Sequence, residues 1–299
     1  MLISVVIPHF NQEDHLRSCL ASLRVARAAC DAGVEVIVVD NGSRRVPEAV
    51  CAAFPEVQLL CEAEPGPGPA RNRGAAAAAG DVLAFIDADC RAHPGWLRAI
   101  ETAFADPATR IAGGDVQVGY ADPARPTFLE PYEAIYSYRN QDHIAEGFSG
   151  TGNLATRPEV LRDVGPFAGI GVAEDRDWGL RAGARGHPIL WLPGMIVYHP
   201  ARQSFAELTR KWDRHISHDY EHFALGPLGR LRWTLRAIAV AGSPLFELRT
   251  LATSPRISGG RERLLALLCL VRIRAYRGYA MLRRAAAGGG RDARADWRR

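Results

Sequence analysis

Two aspartates one residue apart, Asp87 and Asp89, close the run "DVLAFIDADC". In an extended chain the side-chain period is two, so both carboxylates are expected to point the same way. About 6 Å apart, they would repel by roughly 0.7 kcal/mol in water and by about 3 kcal/mol at an effective dielectric near 20. A divalent cation offsets such repulsion, and Mg2+ favours hard carboxylate oxygens together with substrate phosphates. A second acidic group, Glu174, Asp175 and Asp177, lies in "AEDRDWGLR". Acids in a helix's first turn complement its dipole, but a carboxylate there could also serve as a general base. Helix capping accounts for either group taken alone. Together, and with the polar strand ends described next, they favour chemistry.

These groups need a scaffold that brings them to one place, and the hydrophobic pattern supplies one. The runs "LISVVIPHF", "VEVIVVDNGS", "VQLLCEAE" and "DVLAFIDADC" are short and apolar, and predict four strands. Between them, "EDHLRSCLASLRVARAAC", "PEAVCAAF" and "ARNRGAAAAAG" predict helices, the last stopping at Gly80. "PGWLRAIETAFA" follows as a helix with Pro94 near its first turn. Such alternation argues for a mostly parallel sheet covered on both faces. Three strands end in polar residues: His9, Asp40, and the pair Asp87 and Asp89. Ligands of parallel sheets sit at the carboxyl ends of strands, so these side chains should face one crevice. Beyond about residue 110 the pattern loosens. "IAGGDVQVGY" reads as a strand, "LEPYEAIYSYRNQ" as a helix and "GFSGTGNLATR" as a polar loop. "PEVLRDVGPF" and "EDRDWGLRAGARG" read as helices, and "PILWLPGMIVYHP" as a closing strand pair.

The glycine-rich "GPGPARNRG" fails as a dinucleotide fingerprint, because Arg71 stands where a glycine is needed and Asp40 precedes the glycines. No GxxxxGK[ST] loop is present. Instead, seven segments in order resemble the inverting family 2 glycosyltransferases: "SVVIPHFNQEDHLRSCLASL", "VEVIVVDNGS", "GPGPARNRG", "AFIDADC", "GTGNLATR", "GVAEDRDWGLR" and "VYHP". The resemblance runs from about residue 3 to residue 200. It implies a GT-A fold, Rossmann-like, with a mixed, mostly parallel central sheet flanked by helices. It also implies roles. Asp40 would hydrogen-bond the nucleobase above a pocket floored by Pro8 and Phe10. Arg71 would meet the diphosphate or base. Asp87 and Asp89 would form the DxD motif, holding Mg2+ or Mn2+ with His199 as a further ligand and Asp87 also touching the nucleotide. Asp175 would be the general base, with Glu174 second choice. Asn153 and Trp178 would line the donor or acceptor sugar. The implied activity is transfer of a sugar from a nucleotide donor, UDP-linked by preference, to a hydroxyl of a glycan or lipid-linked acceptor.

The 299 residues carry a formal charge of +4 that conceals an asymmetry. Up to His199 there are 17 basic against 25 acidic residues, and beyond it 20 against 8, so −8 and +12 sum to +4. A basic tail behind an acidic body suggests an anionic surface partner. "LRWTLRAIAVAGSPLF" and "RERLLALLCLVRIRAYRGYAMLRR" mix apolar runs with arginine, as helices lying at a membrane interface do. No groove-reading motif points to nucleic acid. The expected division is a catalytic domain over 1–203 (nucleotide half 1–110, acceptor half 111–203), an Arg-rich helical appendage over 204–285, and a disordered tail over 286–299. No signal peptide is expected after Met1, and "LLALLCLV" falls far short of the ~18 apolar residues of a spanning helix. A cytoplasmic location follows, with peripheral contact at the inner face of the cell membrane. The six cysteines form no CxxC pair and read as reduced core thiols. Two other functions are weighed. "HISHDYEHF" sets His215, His218 and His222 on one helical face, as in a metal-dependent hydrolase. A non-catalytic sugar-nucleotide-binding protein is the second.

Overall fold

The first strand, β1 (Leu2–His9), is apolar on both faces and buried almost throughout, as a central parallel strand must be. It pairs in parallel with β2 (Gly33–Asp40) and with β4 (Val82–Ile86), and β2 pairs in parallel with β3 (Val57–Cys61). The computed structural model describes residues 1–223 and 228–287. Beyond β4 the sheet turns antiparallel, through β7 (Asn153–Thr156) to β6 (Ile111–Gly119). β6 then pairs in parallel with β8 (Ile189–Pro200), and β8 antiparallel with the two-residue β5 (Arg91–Ala92). The spatial order is β3-β2-β1-β4-β7-β6-β8-β5. The sheet is therefore α/β and mixed, with four parallel and three antiparallel neighbour pairs.

Alternate residues of β1 feed two cores. Ile3, Val5 and Ile7 pack with Leu16, Leu20 and Leu23 of α1 (Glu13–Ala28) and with Trp96, Leu97 and Ile100 of α4 (Trp96–Phe104). Val6 joins Leu83 and Phe85 on the other face, under α7 (Pro158–Val164) and α8 (Glu174–Ala184). Two further helices, α2 (Glu48–Ala52) and α3 (Pro67–Ala77), complete the first half. Gly74 of α3 must be glycine, since a Cβ there would lie 2.4 Å from Val6 of β1.

The structure departs from the sequence expectation at four places. "GFSGTGNLATR" is not all loop: its four buried residues Asn153–Thr156 form β7, in the middle of the sheet. "PILWLPGMIVYHP" is one strand, whose register against β6 slips at Gly114 and Asp115. "LEPYEAIYSYRNQ" is two helices, α5 (Glu130–Tyr136) and α6 (Asn140–Ala145). Most telling, β4 ends at Ile86, and Asp87–Cys90 is a turn closed by the Cys90 N–H donating to the Asp87 carbonyl at 2.9 Å.

The chain divides into two compact units. One comprises Met1–Gly119 and Arg139–Pro200; the other comprises Tyr120–Tyr138 and the chain from Ala201 onward. Residues 120–138, which the sequence reading places in the acceptor half, thus belong with the C-terminal helices. In that unit Leu129 and Tyr132 pack on Leu208 of α9 (Phe205–Phe223) and on Ala266, Leu270 and Ile273 of α12 (Gly259–Ala287). α10 (Gly229–Gly242) runs into a short 3-10 segment (Ser243–Glu247) and α11 (Leu248–Thr253). Among the described residues no helix is long and apolar enough to cross a membrane. The expected tail lies, from residue 288 on, outside the described residues.

Candidate active site

The carboxyl ends of β1, β2 and β4 carry the polar residues that the strand pattern placed there. His9 and Asp40 are register partners on adjacent strands, and the His9 ring meets Asp40 through Nδ1 at 2.8 Å. The Gln12 N–H donates to His9 Nε2 at 3.1 Å, so the ring proton sits on Nδ1 and is given to Asp40. Asp40 is only 2% exposed, and its other oxygen accepts the Ser43 N–H at 3.1 Å. Asn41 ties this turn to the glycine-rich loop, its Oδ1 accepting the Gly66 N–H at 2.6 Å. Pro8 is half-buried and Phe10 is 57% exposed at the strand end. An open depression of about 690 Å³ lies beside them, between Asn11–His15 and Arg44 with Arg45.

Arg71 links segments far apart in sequence. It is 3% exposed on α3, and donates through Nη2 to Asp87 at 2.6 Å and through Nη1 to Glu174 at 3.1 Å. The guanidinium expected to meet a diphosphate is therefore enclosed and paired with two carboxylates. Gly152 completes the seat of Asp87: a Cβ there would lie 2.4 Å from Asp87 Oδ2. Asp175, next along the first turn of α8, takes the Arg176 N–H on Oδ1 at 2.7 Å. Its second oxygen makes no hydrogen bond among the described residues.

Asp89 faces a different partner from Asp87. His199 Nε2 lies 3.4 Å from Asp89 Oδ2, while His199 Nδ1–H donates to the Pro200 carbonyl at 2.8 Å. With Nδ1–H given to that carbonyl, Nε2 is the ring atom turned toward the carboxylate. Two lone-pair groups at that distance need a proton or a cation between them, and a carbonyl-oriented histidine is the usual arrangement of a metal ligand. Burial pushes the Asp89 carboxyl up, opposed by His199 and reinforced by Asp87. Cys90 lies in the same group, all three ligand atoms falling within 4.8 Å of one another. Burial drives its thiol well up, which keeps it protonated and a poor partner for a hard ion. Carboxylate and imidazole suit Mn2+ or Mg2+. Asp87, expected in the ligand set, stands outside this group and is held by Arg71.

Two expected contacts are corrected. Trp178 is 1% exposed, packs on Phe167 at 5.1 Å and donates its indole N–H to the Gly165 carbonyl at 3.0 Å; it is core, not a sugar platform. Asn153 is fully buried. Its Oδ1 accepts the Trp96 indole N–H, and its Nδ2 donates to the Asp115 and Met195 carbonyls, all at 2.8 Å. Both amide hydrogens are spent inside the sheet, and the oxygen is closed off from the surface. Gly152 escaped the sequence reading as a site residue; His9 was placed at the crevice by its strand end but given no role. Of the histidine helix, His215 rests against Trp212 at 5.5 Å, whereas the side chains of His218 and His222 lie outside the described residues.

The model of the family described as glycosyl transferase family 2 matches residues 4–172, more than half of the chain. The chain belongs to this family. Among its relatives, the glycosyltransferase AglE of Haloferax volcanii is 31% identical over 216 residues, covering 70% of each chain. A pre-mycofactocin glycosyltransferase of Mycobacterium tuberculosis is 31% identical over 225 residues, covering 70% of this chain and 45% of that protein. Solved structures similar to this family 2 glycosyltransferase include the mannosyltransferase PcManGT of Pyrobaculum calidifontis in complex with GDP-Man and Mn2+. It has a TM-score of 0.52 and 17% identity, covering 98% of this chain and 77% of that one. Another is the glucosyl-3-phosphoglycerate synthase of M. tuberculosis with Mn2+, UDP and glucosyl-3-phosphoglycerate. Its TM-score is 0.51 at 23% identity, covering 70% and 75% of the two chains. These likenesses establish a GT-A-like fold with a mixed sheet.

Proposed function

We propose that this family 2 glycosyltransferase is metal-dependent and inverting, and moves a sugar from a UDP-linked donor to a hydroxyl of a glycan or lipid-linked acceptor. The observation that carries this reading is the meeting of the Asp87 segment and the Glu174 segment on Arg71. Asp40, with lone pairs beyond those used by His9 and Ser43, and the exposed Phe10 over Pro8 would receive the nucleobase. Arg71 positions Asp87 toward the nucleotide and, through Glu174, sets the first turn of α8. Asp175 then remains to take the acceptor proton. The acceptor oxygen bonds to the anomeric carbon as the bond to the nucleoside diphosphate breaks on the opposite face, and the proton passes to Asp175. Asp89 and His199 would hold the Mg2+ or Mn2+, whose chemistry is to offset negative charge on the departing diphosphate.

The similar structures hold different nucleotides, GDP-Man in one and UDP in another, so UDP and GDP are compared, with UDP expected to give the larger shift. UDP is expected to raise the melting temperature only with Mn2+ present, and Asp89→Ala to abolish the Mn2+-dependent part. Asp175→Asn should keep that stabilisation and lose about 10²- to 10⁴-fold in turnover. Stabilisation by UDP that ignores both Mn2+ and Asp89 would refute the assignment.

Peripheral contact with an anionic membrane belongs to the same proposal. Leu231, Leu235 and Ile238 stand exposed along one side of α10, followed by Leu245 and Phe246, the latter 87% exposed. Leu264, Leu268 and Val271 do the same on α12. The two helices run antiparallel, Trp233 donating to the Met281 carbonyl and Ala241 meeting Gly278. At about 100° per residue, both stripes project from the side of this pair opposite its buried core. Exposed Arg230, Arg232, Arg249 and Arg261 flank them, so anionic lipid is the complementary occupant.

A further inference from the structure

Lys211 and Trp212 of α9 meet Arg274 and Arg277 of α12 inside the second unit. The Arg277 guanidinium lies 3.4 Å from the centre of the Trp212 ring and the Lys211 ammonium 6.0 Å from it. Neither cation has a carboxylate within 4.0 Å among the described residues. The acids nearby are engaged with other groups. Glu133 pairs with Arg202, Asp219 with Arg236 at 3.1 Å, and Asp213 accepts the Tyr276 hydroxyl at 2.8 Å. Glu247 reaches Arg274 only at 3.7 Å. Three buried donors in this cluster also lack an acceptor: Trp212 Nε1, Arg274 Nε and Arg277 Nε.

A buried charge without a counter-charge is unfavourable, as is a buried N–H without an acceptor, and native chains hold few of either. Here both occur together: Arg277 and Lys211 lie by the Trp212 ring, and Arg274 acts on Arg277. Cation–π attraction lessens the cost for Arg277 and Lys211, but it supplies no acceptor for the N–H groups. We infer that Lys211, Trp212, Arg274 and Arg277 form a binding site for a phosphate group. A phosphate brings several acceptor oxygens and up to two negative charges in one group, matching guanidinium donors, a lysine point charge and an indole N–H. The titration of the cations agrees: burial and then Arg202 pull Lys211 down to about 8, and burial and then Arg274 pull Arg277 down to about 10. Lys211 and Arg277 are both half-buried, so a ligand can reach them. The site stands independently of the glycosyltransferase reading, and its phosphate could arrive on a lipid headgroup or on a soluble compound.

Lys211 is the chain's one lysine, which makes the test direct. Reductive methylation with 13C-formaldehyde places one side-chain label on the intact protein, besides that on the α-amine. The dimethyl-lysine resonance is expected to titrate near pH 8 and to move up by about one unit or more when pyrophosphate binds. Vesicles of phosphatidic acid in phosphatidylcholine, compared with phosphatidylcholine alone, form the second arm. A response to pyrophosphate identifies a soluble source, and a response confined to phosphatidic acid identifies a lipid headgroup. Arg277→Gln should abolish the response without lowering the melting temperature, because it removes an uncompensated cation. Trp212→Phe keeps an aromatic face but loses the pyrrole ring with its N–H, and should weaken binding several-fold; it serves if Arg277→Gln does not fold. Silence to both probes, or a response unchanged in these variants, overturns the site.

Discussion

Arg71 holds Asp87 at 2.6 Å and Glu174 at 3.1 Å, and Gly152 leaves the space in which Asp87 sits. Gly152→Ala would put a methyl 2.4 Å from Asp87 Oδ2. The carboxylate is the movable end of its side chain, so it should yield and leave Arg71 rather than unfold the strand. A charge-assisted hydrogen bond of this kind contributes about 1.5–3 kcal/mol, so donor affinity is expected to fall by about tenfold or more. Initial-rate kinetics would show this as a raised donor KM, and the lost bond as a fall of roughly 3–12 °C in melting temperature at about 2–4 °C per kcal/mol; an unaltered KM would mean Asp87 does not serve the nucleotide. At this scale the sequence was readable where chemistry restricts residue type. Asp40, Asp87, Asp89, Glu174 and His199 all fall at or beside strand or helix ends that face partners. What each touches was not readable, because contact depends on the turn at Asp87–Cys90. An extended chain would have aligned Asp87 with Asp89, whereas the turn sends one to Arg71 and the other to His199.

Asn153 shows how the elements are fastened. From β7 it accepts from Trp96 of α4 and donates to carbonyls of Asp115 on β6 and Met195 on β8. Those carbonyls lie at the register slip between β6 and β8, where ladder bonds are interrupted. Gly114 is required beside it, since a Cβ would come within 2.1 Å of the Met195 carbonyl. Asn153→Ala therefore strands three buried groups, each at a cost of about 1–3 kcal/mol. A loss of about 3 kcal/mol or more is expected, or roughly 6–12 °C in melting temperature at about 2–4 °C per kcal/mol. Scanning calorimetry checks it, and the folded variant should keep the wild-type donor KM. A changed KM with unchanged stability would return Asn153 to the substrate. The same reasoning explains which elements the sequence disclosed. β1, β2 and β4 are buried apolar runs legible on their own, but β7 has four residues and β5 two. Such short strands exist because their neighbours pair with them, and pairing is not a local property. Trp178 was misplaced for a related reason: the resemblance gave it a sugar to line, but only packing against Phe167 decides that it turns inward.

Charge and exposed apolar surface act over the whole molecule. The excess of twelve positive charges beyond His199 was countable from the chain, 20 basic against 8 acidic; that leucines and a phenylalanine stand outward among them was not, because periodicity cannot tell which side of a helix is covered. Each such side chain buried in a bilayer interface contributes up to about 1.5–3 kcal/mol, while arginines attract anionic headgroups over about a Debye length. Flotation of the full chain with phosphatidylglycerol vesicles should thus succeed in 0.1 M salt and weaken in 1 M salt, where the Debye length shrinks to about 3 Å. Phosphatidylcholine vesicles should recover little protein. Replacing Leu245 and Phe246 together by serine should lower the vesicle affinity by at least about tenfold, with the melting temperature preserved because both side chains are exposed. Charge and apolar contact then separate cleanly: affinity undiminished without the two side chains would mean that arginine alone makes the attachment. Recovery that is equal on neutral lipid, or absent on anionic lipid, would leave these stripes without a membrane role.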